Sequence, residues 1–333
     1  MKAKALQFGK AMSAALFVLL LSVVGLKNAL AQNQVATLQH GDSVCAFYGP
    51  GALGEAHEAA DHGDIITLSG GWFSANGITK AITLRGAGFV TDSVTGTPPT
   101  SISGDIWLNV TGTDGFLTIE GVLFSGTVYY IYLNNPKFNR CCFHGISYVS
   151  STIQMLSPLF INCIIENFSF YYTNYTQLIN SMVLKANGIH SNHEVLAHHS
   201  IIGFNGNSPD ALTAHNSIIF GGTSLSTCSF FNCIGINWSF GYAYTTGCVN
   251  YDSYEDVFET FNGSFSLDES FILKDEIATG FVSSDGTQVG IYGGMVPYST
   301  RPNYMVVKRC NVAPQSTIDG KLSVEIEVVT EGN

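Results

Sequence analysis

A short repeated phrase between Leu117 and Cys248 constrains the fold of this chain more than any other feature. Each copy is an apolar, strand-forming run, then a polar residue, then a small residue, then a second apolar run. The small residue, here called the anchor, recurs at Val122, Cys141, Cys163, Ser181, Ser200, Ser217, Cys233 and, more weakly, Cys248. The steps of 15 to 22 residues between anchors match one coil of a parallel β-helix. Equivalent side chains of successive coils should therefore lie on top of one another.

The composition favours the same fold class. Charged residues make up only 12% of the chain, and there are 35 glycines. This balance is typical of a repetitive β protein with tight turns. We predict an all-β fold, a right-handed parallel β-helix (solenoid) with an N-terminal helical cap and a small C-terminal β-hairpin or sheet module.

The N-terminus has the pattern of an export signal. Lysines precede the apolar run 11–26, and Ala29-Leu30-Ala31 supplies the small residues that a signal peptidase reads. We predict that residues 1–31 are a signal peptide removed before Gln32. The protein should then be periplasmic, on the cell surface or secreted, and it should not span a membrane after signal removal.

The predicted mature chain is acidic. Four of the 14 Lys and Arg residues and none of the 25 Asp and Glu residues lie in the signal, which leaves ten basic against 25 acidic side chains. Such a surface repels phosphate groups. We therefore expect neither nucleic acid nor acidic membrane surfaces as partners.

The remaining sequence divides into three parts. Residues 32–63 are an N-terminal segment and helical cap, 64–294 are the parallel β-helix with a closing segment, and 295–333 are a C-terminal β module. The phrase at Ala81–Phe89 aligns with that at Leu117–Phe124, and the sequence between them leaves room for an intervening coil.

Local patterns predict a cap at each end. Leu53, Ala56 and Ala60 lie on one face of a helix that ends before Gly63, and a solenoid needs such a cover over its first coil. At the other end, Tyr304–Val312 and the alternating segment Leu322–Val328 are typical of the two arms of a hairpin.

Asparagine recurs at one corner of the predicted coils. Asn162, Asn180, Asn216 and Asn232 each directly precede an anchor, where the chain must turn sharply. Asn tolerates a left-handed backbone better than most residues. We interpret these residues as a structural ladder.

The cysteines have two interpretations. In an exported protein eight cysteines indicate disulfides, but four of them occupy anchor positions where serine is also found. A small buried side chain is sufficient there. We expect Cys163 and Cys233 to be free thiols, on the reasoning that their neighbours along the ladder are serines.

Three features resemble exported bacterial right-handed parallel β-helix proteins with the pectate-lyase-like fold. They are the helix followed by Gly63–Gly71, the repeated Asn-Cys/Ser-x-Ile phrase, and the closing Asp285–Gly294 segment. The tail 322–328 is similar to C-terminal modules of Bacteroides-type secreted or surface proteins. The resemblance implies the fold. It leaves the activity open, because members include lyases, hydrolases, epimerases and adhesins.

Catalytic carboxylates of the kind the resemblance implies are not evident in the sequence. Between Phe138 and Asn250 the acids are Glu166, Glu194 and Asp210, on different coils and at different coil positions. Acid/base cleavage of a glycosidic bond needs two carboxyl groups within about 10 Å of each other. We leave open whether the protein is an enzyme and favour a protein without catalysis.

Histidine provides the catalytic candidates. His198 and His215 both lie two residues before an anchor on consecutive coils, so their rings should be neighbours. A general base or a metal site is one interpretation. Packing is the preferred one, because Ile161, Ile179 and Phe231 take that position on other coils.

Aromatic residues provide the candidates for ligand binding. They are Tyr171 and Tyr172 in one connection and Trp238, Tyr242 and Tyr244 in another, where alternation would place the rings on one face of an extended segment. Exposed rings would stack on sugars, whereas buried rings would only fill the core. Burial is the preferred interpretation, because large aromatic side chains are seldom left wholly exposed. No cofactor is expected. The acidic run Asp252–Asp256 is an alternative calcium site, although it lacks the spacing of a known loop.

The sequence therefore favours an exported scaffold whose partner is a polysaccharide or a surface protein. The alternatives are a polysaccharide lyase or glycoside hydrolase acting on a plant or host glycan, and a structural module of the cell envelope.

Overall fold

The computed structural model describes residues 34–300, apart from 94, 112–114, 151–153, 191–192, 205, 207, 226 and 264–269, and the backbone of two strands at 305–312 and 324–330. The predicted signal peptide lies outside the described residues. The chain forms two units, Met1–Thr300 and Arg301–Asn333.

The larger unit is a parallel β-solenoid of about 10 turns in its described part. The described strands of its first sheet are, in spatial order, β2 (Ser43–Tyr48), β1 (Val35–His40), β3 (Ile65–Leu68), β6 (Thr83–Arg85), β9 (Thr118–Glu120), β11 (Lys137–Asn139), β14 (Leu159–Ile161), β17 (Thr176–Ile179), β19 (Val195–His198), β21 (Leu212–His215), β23 (Ser229–Phe231) and β25 (Tyr244–Thr246). From β3 onward, successive strands are parallel and contributed by successive coils.

The second sheet forms the other main wall of the solenoid. Its main path among the described residues runs through β16 (Thr173–Asn174), β13 (Gln154–Leu156), β10 (Leu123–Asn134), β12 (Cys142–Tyr148), β15 (Ile164–Ser169), β18 (Met182–Asn187), β20 (Ile201–Phe204), β22 (Ile218–Thr223), β24 (Ile234–Ser239) and β26 (Val249–Tyr251). Strands β7 (Thr100–Ile102) and β8 (Ile106–Asn109) pair with β10 on its other side. Beyond them, β4 (Gly71–Phe73) pairs with β7 and β5 (Gly77–Ile78) pairs with β8. Phe143, Phe160, Val183 and Phe230 are among the fully buried residues between the two walls.

The anchors stack as predicted. Cys163 N–H donates to Ser181 Oγ at 3.1 Å, and Ser181 N–H donates to Ser200 Oγ at 3.3 Å. Ser200 N–H donates in turn to Ser217 Oγ at 3.0 Å. Each anchor hydroxyl thus bonds to the backbone of the preceding coil, which explains why a small polar side chain recurs at this place.

The residue before each anchor adopts a left-handed backbone. The series is Gly121, Arg140, Asn162, Asn180, His199, Asn216, Asn232 and Gly247, with φ between 46° and 66°. The predicted role of the asparagines in the turn is therefore confirmed. Arg140 and His199 take the same conformation, although such residues reach it at a higher energetic cost.

The N-terminal end is capped by a helix and a hairpin. Helix α1 (Ala52–Ala59) buries Leu53 and Ala56, as predicted, and also Ala52. Ala60, the third residue of the predicted face, is buried just after the helix ends. Strand β1 pairs antiparallel with both β2 and β3, and so covers the edge of the first coil. No hydrophobic period in the sequence indicates this hairpin, because β2 is mostly exposed and does not alternate.

The prediction of an additional coil between the phrases at Ala81–Phe89 and Leu117–Phe124 is wrong. Leu84 pairs directly with Ile119, so β6 and β9 lie on adjacent coils of the first sheet. Strands β7 and β8 complete the coil that begins with β6, because they pair within the second sheet.

A closing segment, described at residues 254–263 and 270–298, packs along the side of the solenoid. It contains the 3-10 helix η1 (Tyr254–Asp256) and helix α2 (Asp275–Gly280). Its apolar side chains cover the outward residues that follow the anchors on β12 to β24, which we call the covered face: Cys142, Ile164, Met182, Ile201, Ile218 and Ile234. These residues are at most 4% exposed.

The smaller unit contains a two-stranded antiparallel hairpin, which confirms the predicted C-terminal strands. Its arms are β27 (Met305–Val312) and β28 (Val324–Thr330). The connection between the two arms lies outside the described residues. No helix within the described ranges is long and apolar enough to cross a bilayer.

Candidate functional site

The outer surface of the first sheet carries two parallel rows of side chains. We call the part from β17 to β25 the open face. Its first row is Gln177, Leu196, Thr213, Ser229 and Tyr244, and its second row is Ile179, His198, His215, Phe231 and Thr246. The strands here alternate between buried and partly exposed residues, so one side chain in two reaches solvent.

A cleft of about 590 Å³ lies along the first row. Its lining residues are Tyr175, Thr176, Gln177, Glu194, Val195, Leu196, Asp210, Ala211, Thr213 and Thr227. They belong to the starts of β17, β19 and β21 and to the connections that precede them and β23. The cleft therefore crosses several coils and runs along the solenoid axis.

Two carboxylates lie in this cleft, contrary to the sequence prediction. Val195 pairs with Leu212, so Glu194 is level with Ala211 and only one residue out of step with Asp210. Both acids line the same cavity because the connections before neighbouring strands lie side by side. Thr227 Oγ1 donates to Asp210 Oδ1 at 2.8 Å, which orients that carboxylate. The sequence predicts that the two acids are apart because they take different coil positions. The offset is only one residue, so they lie in the same cleft.

Among the described residues that line the cleft, none has a basic side chain. Glu194 and Asp210 are its charged residues, and Gln177, Thr213 and Thr227 add groups that donate and accept hydrogen bonds. Tyr175 is 57% exposed at one end of the cleft. This combination suits a ligand with hydroxyl or ammonium groups and disfavours a polyanion.

His198 and His215 are stacked, as the repeat predicted. They are paired in register, and their ring centroids are 4.8 Å apart at an interplanar angle of 15°. Phe231 continues the stack, with its ring centroid 4.5 Å from that of His215. The ring centroid of Tyr244, in the first row, lies 5.7 Å from that of Phe231, and Tyr244 is 62% exposed.

The two histidines favour the neutral state. Burial lowers the pKa of His198, and the neighbouring His215 and His199 lower it further. Burial also lowers the pKa of His215. Within the described part of the chain no hydrogen bond or ion pair orients either ring, so the geometry gives them no defined acid/base role. Their proposed catalytic role stays a prediction.

The aromatic candidates separate into three groups. Trp238 is 6% exposed and packs in the core beside Phe204, so its ring cannot belong to an exposed surface. The inference from alternation is wrong, because β24 ends at Ser239 and a turn at Gly241 interrupts the segment. Tyr242 and Tyr244 are exposed, at 91% and 62%.

Tyr171 and Tyr172 form a separate cluster with neighbouring rings. Tyr148 contacts both, at centroid distances of 6.0 and 4.9 Å. Tyr171 also lies 5.2 Å from His190. Tyr171 is 37% exposed and Tyr172 is half-buried. Binding of a ligand by these tyrosines stays a prediction.

Sequence reasoning missed the contact between His199 and Asp285. His199 Nε2 lies 2.9 Å from Asp285 Oδ2 and 3.2 Å from the Asn216 amide nitrogen. Hydrogen bonds from Ser283 and Thr287 hold the pKa of Asp285 well below its ordinary value. His199 is only 6% exposed. The pair therefore fastens the closing segment to the solenoid. In the sequence, the one indication of a special role for His199 is that it takes the corner position that asparagine takes on other coils.

No metal site is apparent in the described residues, where no group of three or more His, Cys, Asp or Glu side chains is arranged to hold an ion. Within the acidic run, Asp256 accepts hydrogen bonds from the Ser253 backbone and hydroxyl and thereby caps η1. The expectation that no cofactor is needed stays a prediction.

No protein-family model, curated protein or solved structure matches this chain.

Proposed function

We propose that the protein is an exported, non-catalytic scaffold that binds a neutral or amino-bearing polysaccharide along the open face. The observation that carries this proposal is the cleft, whose described lining has two carboxylates and several hydrogen-bonding side chains but no basic residue. Export is supported by the signal-like N-terminus. The resemblance to pectate-lyase-like proteins supports a glycan as the partner class, although the acidic cleft argues against an acidic glycan.

The dimensions of the open face suit an extended chain. Successive coils are about 4.8 Å apart, so the path from the coil of Tyr175 to that of Tyr244 is about 19 Å long. Tyr175 and Tyr244 are exposed at its ends and can stack on sugar rings. Between them, Gln177 and Thr213 can bond to hydroxyl groups.

Binding is tested by calorimetric titration with three probes of similar length. They are partly deacetylated chitosan oligomers, cello-oligosaccharides and oligogalacturonates. Because the cleft carries two carboxylates, we expect the chitosan oligomer to bind most tightly and the oligogalacturonate not to bind. Binding of the oligogalacturonate alone, or of none of the three, would contradict the proposal.

The carboxylates are tested by the variants Glu194→Gln and Asp210→Asn. Each should weaken binding of the chitosan oligomer about tenfold, equivalent to about 1.4 kcal/mol. The control is Glu58→Gln, which makes the same change of charge on the exposed surface of α1 and should leave the affinity unchanged.

Glycoside hydrolysis is the second candidate, because Glu194 and Asp210 line one cleft. In that reaction one carboxyl group protonates the leaving oxygen, while the other activates water or attacks the sugar. Release of new reducing ends from the same oligosaccharides would establish the activity. Loss of that release in both Glu194→Gln and Asp210→Asn would assign it to this pair, whereas binding without release supports the scaffold.

A further inference from the structure

The last two anchors of the solenoid are both cysteines. Phe231 pairs with Thr246 and Ile234 pairs with Val249, so Cys233 and Cys248 lie between paired residues of adjacent coils. Coil spacing places their Cα atoms about 4.8 Å apart. Disulfides span Cα separations of about 4.4 to 6.8 Å, so a bridge fits this step of the ladder.

Cys163 and Cys233 are free thiols, as expected from the sequence, but each lies beside another anchor cysteine. The described cysteines are free thiols in the structure. The argument that serines flank Cys163 and Cys233 along the ladder is wrong, because each has a serine on one side and a cysteine on the other. Cys163 neighbours Cys141, and Cys233 neighbours Cys248.

The thiols of Cys233 and Cys248 differ in reactivity. Cys248 Sγ accepts a hydrogen bond from Cys233 N–H at 3.4 Å. A hydrogen bond from the Cys233 side chain lowers the pKa of Cys248 to about 7, and Cys248 is half-buried. Cys233 is completely buried, and burial raises the pKa of its thiol. Cys248 is therefore the nucleophile, since the thiolate is the reactive form.

We propose that Cys233 and Cys248 form a disulfide between adjacent coils when the protein meets a low-molecular-weight disulfide. The Cys248 thiolate attacks one sulfur of the oxidant and releases the first small thiol, which gives a mixed disulfide. Cys233 then loses its proton and attacks the sulfur of Cys248, which releases the second small thiol. The two cysteines are oxidised by two electrons, and the oxidant is reduced to two thiols.

The position of the pair gives the bridge a structural consequence. Cys248 lies between β25 and β26 in the chain. These are the last described strands of the first and second sheets of the solenoid. Strand β25 is exposed along its whole length. A bridge to Cys233 would tie this last described coil to the preceding one. Disulfides persist in the exported compartments predicted for the protein.

The test is to equilibrate the folded protein with oxidised glutathione at pH 7.5, block free thiols, and identify linked peptides by mass spectrometry. The protein is digested with pepsin and not with a protease that cleaves after Lys or Arg. No Lys or Arg lies between Lys185 and Lys274, so such a protease would leave Cys233 and Cys248 in one peptide. We expect a linked peptide pair that contains Cys233 and Cys248, and a midpoint of thermal unfolding several degrees above that of the reduced protein. Cys141 and Cys163 are both fully buried and should oxidise more slowly.

The matched control is Cys248→Ser, because serine occupies the same position at Ser181, Ser200 and Ser217. This variant should fold, yield no linked peptide and show no shift on oxidation. The proposal is overturned if wild-type Cys248 remains a free thiol, stays as the mixed disulfide with glutathione, or links to another cysteine. It is also overturned if the linked peptide forms without any shift in thermal unfolding beyond that of Cys248→Ser.

Discussion

The two outer faces of the solenoid differ in what covers them. On the covered face, Ile201 and Ile218 are completely buried beneath Val289, Ile291 and other apolar residues of the closing segment. On the open face, the corresponding outward residues, such as Ile179 and His215, remain partly exposed. The same winding therefore supplies one face that the closing segment covers and another that stays open to solvent.

The difference is visible in the strand sequences once the topology is known. Strand β20 reads Ile-Ile-Gly-Phe and is buried at each position, because it has core on one side and the closing segment on the other. Strand β19 reads Val-Leu-Ala-His and alternates between buried and partly exposed positions. Continuous apolar strands thus indicate cover on both faces, and alternation indicates a face left to solvent.

The largest expected effect compares two isoleucines, one on each face. Ile218→Ala should lower the free energy of unfolding by about 2 to 5 kcal/mol, because it removes buried methyl groups that pack against Gly290 of the closing segment. Ile179→Ala, the same change on the open face, should cost less than about 1 kcal/mol. Urea unfolding of both variants checks the difference. Equal losses would mean that the two faces are covered to the same extent.

A smaller effect is expected at the corner between the two faces. Asn180 Nδ2 donates to the carbonyls of Ile291 at 2.8 Å and Gly293 at 2.7 Å. Asn180→Ala should cost about 2 to 4 kcal/mol, because it leaves buried carbonyls without a donor and strains a left-handed backbone.

Asn180→Gly separates these two causes, since glycine loses the same hydrogen bonds but accepts the backbone conformation. It should be about 1 kcal/mol more stable than Asn180→Ala in urea unfolding. If the two variants are equally stable, backbone conformation does not contribute at this corner.

The smallest effect is a pH dependence that arises on the open face. His198 and His215 have pKa values below the ordinary 6.5 in the folded protein. Between these values and 6.5 the unfolded chain binds more protons, so stability should fall as the pH drops below 6.5. His57, whose pKa is also lowered by burial, contributes in the same direction, and His40, whose pKa is raised by Asp64, contributes in the opposite one.

The variant His198→Phe/His215→Phe isolates this contribution, because Phe231 already occupies the same row. Urea unfolding at pH 7.5, 6.5 and 5.5 should show a smaller loss of stability for the double variant than for the wild type. A loss of the same size would assign the pH dependence to other groups.

Much of the winding could be predicted because it repeats. The anchors, the left-handed asparagines and the terminal caps each follow from local chemistry: a small side chain, a tolerated φ, an amphipathic segment. The stacking of His198 on His215 follows from the same register. These predictions required no knowledge of distant contacts.

The errors concern places where the chain departs from its repeat or folds back on itself. The loop after Phe89 lengthens one coil, so the sequence predicts two coils where the structure has one. The carboxylates Glu194 and Asp210 meet because connections, whose register sequence alone does not fix, lie side by side. The contact between His199 and Asp285 spans 86 residues, and no local pattern specifies it.

Hydroxyl-radical footprinting tests the difference between the two faces most directly. Methionine is among the side chains most easily oxidised, yet Met182 on the covered face is completely buried, whereas Met295 is 99% exposed. We predict fast oxidation of Met295, measurable oxidation of Phe231 and Tyr244 on the open face, and protection of Met182. Oxidation of Met182 at a rate close to that of Met295, with Phe231 protected, would contradict the account.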